Sequence, residues 1–152
     1  MQVTQKIKCC VLAAAMIVFI SGCNFIKYSY TYEQSLDNAT KVEICRYDYD
    51  TKSVKVIDEL DLDVASALLS DIASLDCYRP FGDHARSYGE IVIYITYANG
   101  EAEVIGMVNS ATVDLNGEWH MKAYYYDYAQ WCAVIIKYVD RQLVPELEPY
   151  LE

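Results

Sequence analysis

Residues 90–108 read EIVIYITYANGEAEVIGMV, and this stretch decides the fold. Two runs rich in β-branched and aromatic residues flank Asn99-Gly100, the strongest short hairpin signal in the chain. A two-residue type I′ loop pairs Ile95 with Val104, Tyr97 with Ala102 and Ile91 with Val108, making one apolar face. The reverse face then pairs Val92 with Met107, Tyr94 with Ile105 and Thr96 with Glu103, and it too is more apolar than a solvated face needs to be.

Working toward the C-terminus, Asn116-Gly117 marks another hairpin, but a two-residue loop there would set Val113 opposite His120 and mix the faces. A three-residue loop of Leu115, Asn116 and Gly117, with Gly117 in the left-handed region, pairs Val113 with Trp119 and Ala111 with Met121 instead. Trp119 is then expected in the core, and His120, Lys122, Tyr124 and Tyr126 share the other face. Beyond Asp127, the spacing of Trp131, Val134, Ile135, Tyr138, Val139 and Leu143 predicts a helix running to near Pro145. Toward the N-terminus, Val64, Leu68, Leu69, Ile72 and Leu75 give a helix over 61–75 with Asp61 or Asp63 at its start. The segment 77–89, broken by Arg79-Pro80-Phe81-Gly82, is the longest irregular stretch. Residues 41–47 and 53–58 predict a further hairpin, Val42 and Ile44 facing Val54 and Val56 across Asp48-Tyr49-Asp50-Thr51. The order is ββαββββα: an α+β fold, mainly antiparallel, with both helices packed on one face of the sheet. Residues 41–152 make a single domain.

The first 22 residues are of another kind. Lys6 and Lys8 precede an unbroken apolar run from Cys9 to Ile20, closed by Ser21-Gly22-Cys23. That order reads as a secretory signal, too short to span a bilayer as a helix. Residues 1–23 resemble the signal and lipobox of bacterial lipoproteins. The resemblance implies lipidation of the Cys23 thiol, removal of residues 1–22 and a domain held to the outer side of the cell membrane by its acyl chains. The remainder resembles, in general style alone, the small exported lipoproteins of Gram-positive bacteria. Residues 23–40, polar and aromatic without a clear period, read as the lipidated cysteine and a tether, in which Tyr28, Tyr30 and Tyr32 alternate with smaller residues as a first strand would.

Charge bounds the partners. Twelve Lys and Arg stand against 22 Asp and Glu, a net charge of −10 that becomes −12 when Lys6 and Lys8 leave with the signal. Such a surface repels nucleic acid and anionic lipid head groups and suits cations, basic peptides or neutral ligands. Of six cysteines, Cys45, Cys77 and Cys132 remain in the domain besides Cys23; one disulfide with a free thiol and burial of all three fit equally.

Chemistry is sparse. No cofactor or metal is expected: His84 and His120 have no ligand partner at helical or strand spacing, and no glycine-rich phosphate loop exists. Asp48-x-Asp50 with Glu59 is spaced like a calcium loop, yet Lys52 takes a ligand position and Ser53 the place of the glycine, so it reads as a turn. Asp83, His84, Arg86 and Ser87 supply hydrolytic residue types without a nucleophile elbow. Fifteen tyrosines, clustered at 124–126 and 128, are the strongest remaining signal, since Tyr gives rigid amphipathic contact area. The candidate binding surface is Tyr94, His120, Lys122, Tyr124 and Tyr126, expected on the sheet face opposite the helices. The preferred reading is a binding module for an envelope protein, peptide or glycan. A small enzyme using Asp83, His84 and Arg86, and an accessory subunit of an envelope complex, are the alternatives.

Overall fold

The computed structural model describes residues 27–78 and 90–150. Cys23, the leader, and the Asp83, His84 and Arg86 group lie outside them. The strands are β1 (Lys27–Ser29), β2 (Ala39–Asp48), β3 (Ser53–Leu60), β4 (Asp76–Tyr78), β5 (Ile91–Tyr97), β6 (Ala102–Gly106), β7 (Val108–Val113) and β8 (Trp119–Tyr126). The helices are α1 (Leu62–Ser74) and α2 (Tyr128–Tyr138). All eight strands form one antiparallel sheet in the order β1-β4-β8-β7-β6-β5-β2-β3. The fold is α+β, with the expected order extended by the short β1 and β4.

Both helices bury their apolar stripes against the same face. Ala65, Leu68, Leu69 and Ile72 of α1 and Trp131, Cys132 and Ile135 of α2 join Val42, Ile44, Ile91, Ile93, Ile95 and Ile105 in one core. Each such aliphatic side chain removed from water contributes about 1.5–3 kcal/mol. The α1 stripe is rotated from the expected one: Ala65 is buried and Val64 is 38% exposed. Asp127 caps α2, its side chain accepting from the Gln130 amide at 3.0 Å. The helix stops at Tyr138, short of Pro145, because Val139 turns extended; Val139, Val144 and Leu147 then return to the core through two 3₁₀ turns. The Arg46–Glu146 pair at 2.7 Å pins this tail to β2.

The register of β7 and β8 is the expected one, Val113 opposite Trp119 and Ala111 opposite Met121, with Gly117 at φ +79°. The central hairpin is not. Tyr97 N–H bonds the Glu101 carbonyl and Gly100 N–H the Tyr97 carbonyl, so its loop has three residues, Ala98, Asn99 and Gly100. A type I′ turn needs positive φ at two residues, whereas here only Gly100 has it, at +87°. The pairing therefore slips by one: Tyr94 opposes Val104, Ile93 opposes Ile105, and Ile95 opposes Glu103. In the N-terminal hairpin a bulge between Ile44 and Cys45 likewise changes the partners. Val56 faces Cys45 and Val54 faces Tyr47, while Ile44 faces Asp58.

The helix-free face carries a second, smaller cluster of Cys45, Tyr47, Val92, Ala102, Val104, Ala111 and Val113, rimmed by Val54, Tyr94 and Trp119. Trp119 belongs to this rim, half-buried beside Tyr47 at 6.1 Å between ring centroids, and not to the main core. Cys45, Cys77 and Cys132 are buried free thiols. Burial pushes Cys45 up to about 12 and Cys77 and Cys132 up to about 11, which makes them small apolar fillers and poor nucleophiles.

Residues 27–40, read from sequence as tether, belong to the domain. β1 pairs with β4, and the chain then crosses the helix side of the sheet as a strap. Tyr30 is 6% exposed in the main core, and the Tyr32 hydroxyl donates to the Leu69 carbonyl at 2.5 Å.

Candidate functional site: an acidic cleft between the strap and two hairpin ends

The slipped register of β5 and β6 puts Glu103 on the helix side of the sheet, where it is fully buried. It is not left bare. Tyr30 donates its hydroxyl to Oε1, Tyr97 donates to Oε2 at 2.7 Å, and the Glu33 amide reaches Oε2 at 3.2 Å. Burial raises the Glu103 pKa and the two tyrosine hydrogen bonds oppose that rise. The tyrosines are raised as well: burial and the facing carboxylate both disfavour a phenolate at Tyr30 and Tyr97. Glu103 thus fastens the strap to the sheet, through Tyr30 and Glu33 from one side and Tyr97 from the other.

Above this fastening the strap, the β5–β6 hairpin end and the β7–β8 hairpin end enclose a cleft of about 380 Å³. Glu33 and Gln34 come from the strap, Tyr97, Glu101 and Ala102 from the central hairpin, and Thr112, Val113, Asp114 and His120 from the last hairpin. Three carboxylates from three separate segments converge there. Each has partners within the protein. Glu101 Oε2 accepts from the Gln34 and Asn99 side chains at 2.8 and 2.9 Å, and Glu33 forms an ion pair with Lys122. Asp114 Oδ1 accepts from the Asn116 and Glu118 amides at 2.8 and 2.9 Å, closing the loop, and these backbone bonds hold its carboxyl below the usual range. Its Oδ2 lies 3.4 Å from His120 Nε2.

Asp114, Glu118 and His120 offer ligand atoms within 4.8 Å of one another, and among the described residues they are the group that could hold a metal ion. Their loop-closing hydrogen bonds account for Asp114 without one. A cleft of this size is in the range of small-ligand sites, and its acceptor-rich wall suits a donor-only cation such as an ammonium or guanidinium.

The surface expected from sequence is not assembled. His120, Lys122, Tyr124 and Tyr126 do share one side of β8, but that side is the one the helices and strap cover. Tyr124 and Tyr126 are 2% and 1% exposed. Tyr126 stacks on Trp131 of α2 at 5.1 Å, and Tyr124 packs edge-on against Tyr30 and donates its hydroxyl to the Gly106 carbonyl at 3.2 Å. The shared parity holds; the side was reversed, because helix placement is a tertiary matter that alternation cannot report. His120 and Lys122 stay exposed at the far end of β8, past the helices, while half-buried Tyr94 lies on the opposite face. Of the five, the cleft takes in His120, and Lys122 borders it through Glu33. Glu103, Tyr30 and Tyr97 escaped the sequence reading. The three-residue loop adopted at Asn116-Gly117 would, applied at Asn99-Gly100, have brought Glu103 to the core side.

No protein-family model, curated protein or solved structure matches this chain. Among the described residues no helix is long and apolar enough to cross a membrane.

Proposed function

We propose that this chain is a lipid-anchored, extracytoplasmic binding module of the cell envelope whose acidic cleft receives a cationic group, such as the basic side chain or free amine of an envelope peptide. The leader and Cys23 support the anchoring. One observation carries the binding reading: Glu33, Glu101 and Asp114 converge on one cleft with an exposed imidazole at its wall, in a chain of net charge −10. A protonated amine would exchange places with Lys122 at Glu33 and find further acceptors on Glu101 and Asp114. Charge attraction of this kind is screened within about 8–10 Å at physiological salt.

Binding is tested by titrating hexa-arginine and hexa-glutamate peptides against the protein by calorimetry at 20 and 200 mM salt. Hexa-arginine should bind, about tenfold more weakly at the higher salt, and Glu101→Gln with Asp114→Asn should lose about tenfold more. Equal binding of both peptides, or of neither, would refute the cleft. Anchoring is tested by Cys23→Ala, which should move the protein to the soluble fraction or leave an unprocessed precursor; a variant cleaved and anchored as before overturns the lipoprotein reading.

A further inference from the structure

The strap leaves very little chain between Cys23 and the folded domain. β1 begins at Lys27, so only residues 24–26 intervene, and four Cα intervals span at most roughly 14 Å. A domain tied that closely to acyl chains cannot tumble free of the bilayer. Whatever surrounds Lys27 must face the head groups.

That neighbourhood has a consistent composition. Lys27 is the cross-strand partner of Tyr78, and Tyr78 is the partner of Tyr125, so the three stand in a row across β1, β4 and β8. Cys77 and Tyr126, their neighbours in sequence, point into the main core, so Tyr78 and Tyr125 project from the helix-free face. Their rings stack at 5.3 Å with planes 20° apart, and the Lys27 ammonium sits 5.9 Å above the Tyr78 ring while pairing with Asp76 at 2.7 Å. Both rings are half-buried.

We propose that this row, Lys27, Tyr78 and Tyr125, docks on the lipid head-group layer of the membrane that holds Cys23, and so orients the domain. The inference rests on the lipoprotein reading above. Tyrosine suits the interface, its ring at the level of the head groups and its hydroxyl in water, and a lysine beside it meets lipid phosphates. His120 is five residues from Tyr125 along β8, about 17 Å at the strand rise, so the cleft lies at the other end of that strand from the docking row.

The test uses the full lipidated protein, purified from membranes and reconstituted in phosphatidylcholine vesicles containing dibrominated phosphatidylcholine, which quenches indole emission on contact. Tyr125→Trp and Tyr78→Trp are compared with Tyr49→Trp, an exposed position on the distant β2–β3 loop, each relative to the parent protein. Emission from positions 125 and 78 should be quenched at least twofold more than from position 49, and Lys27→Glu should diminish the difference. Equal quenching at all three positions overturns the docking, as does quenching that vanishes when the protein is diluted over more vesicles, which would mark contact between copies. Flotation with the vesicles and an acyl mass on the Cys23 peptide are measured on the same samples. Their absence overturns anchoring and docking together, whereas anchored protein without selective quenching overturns docking alone.

Discussion

Replacing Glu103 by Ala strikes the one polar fastening beneath the cleft, and its cost follows from what is left behind. The Tyr30 and Tyr97 hydroxyls lose their acceptor inside the protein, as does the Glu33 amide. Each buried donor left unsatisfied costs about 1–3 kcal/mol, so two hydroxyls give about 2–6 kcal/mol before any cavity is counted. Removing a carboxylate from a buried site recovers part of this, and the expected net loss is about 2–4 kcal/mol. Urea unfolding at pH 7, followed by emission from buried Trp131, measures it. Glu103→Gln isolates the charge. Because burial raises the folded pKa of Glu103, the folded protein holds this proton more tightly than the unfolded chain. Its contribution is fully present below the unfolded value and is lost as pH rises from about 4.3 through the folded pKa. That is opposite in sign to Asp48, Asp71 and Asp114, whose lowered values mean stability lost as pH falls. Glu103→Gln should therefore gain on the parent protein as pH rises above the unfolded value, until the folded Glu103 has ionised. An Ala variant that loses less than about 1 kcal/mol, or a Gln variant whose difference from the parent ignores pH, would refute the fastening.

Tyr126→Ala and Trp131→Ala each remove one ring of a buried stack and should cost about 3–5 kcal/mol by the same urea assay; a loss below 1 kcal/mol would put that face outside the core. Trp119→Ala should cost less, about 1–2 kcal/mol, since its ring is half-buried on the helix-free side, and a cost matching that of Trp131 would contradict that placement. Gly100→Ala should lower the thermal midpoint more than Gly117→Ala. Both hold positive φ, but a Cβ at Gly100 meets Leu115 Cδ2 at 3.1 Å and one at Gly117 meets nothing within 4 Å.

Periodicity and turn chemistry carried the class and most of the elements. The alternation in 90–108 demanded a hairpin, the 3.6-residue spacing after Asp61 and Asp127 demanded helices, and Gly117 in the left-handed region set the last register. These are local properties: whether a residue is β-branched, accepts a bond from its neighbour two positions on, or tolerates positive φ does not depend on distant chain. Short β4 was not legible, because three residues carry too little pattern and it exists through pairing with β1 and β8, whereas the alternation of Tyr28, Tyr30 and Tyr32 marked a first strand that the structure places at Lys27–Ser29. The bulge at Ile44/Cys45 was equally hidden, since Val42 and Ile44 alternate correctly up to the point where it intervenes.

By itself the sequence determined the α+β class, the acidic charge and the shared side of His120, Lys122, Tyr124 and Tyr126 on β8. Only the tertiary structure decided which side of the sheet the helices cover, and with it that Tyr124 and Tyr126 are core. It also decided that Glu103 is buried against two tyrosines and that strap and hairpin ends close around one cleft. Alternation says which residues share a face, but both faces of this sheet are apolar enough to bury. Which of them becomes the main core is settled by packing two helices and a strap over it at once, a choice no single segment encodes.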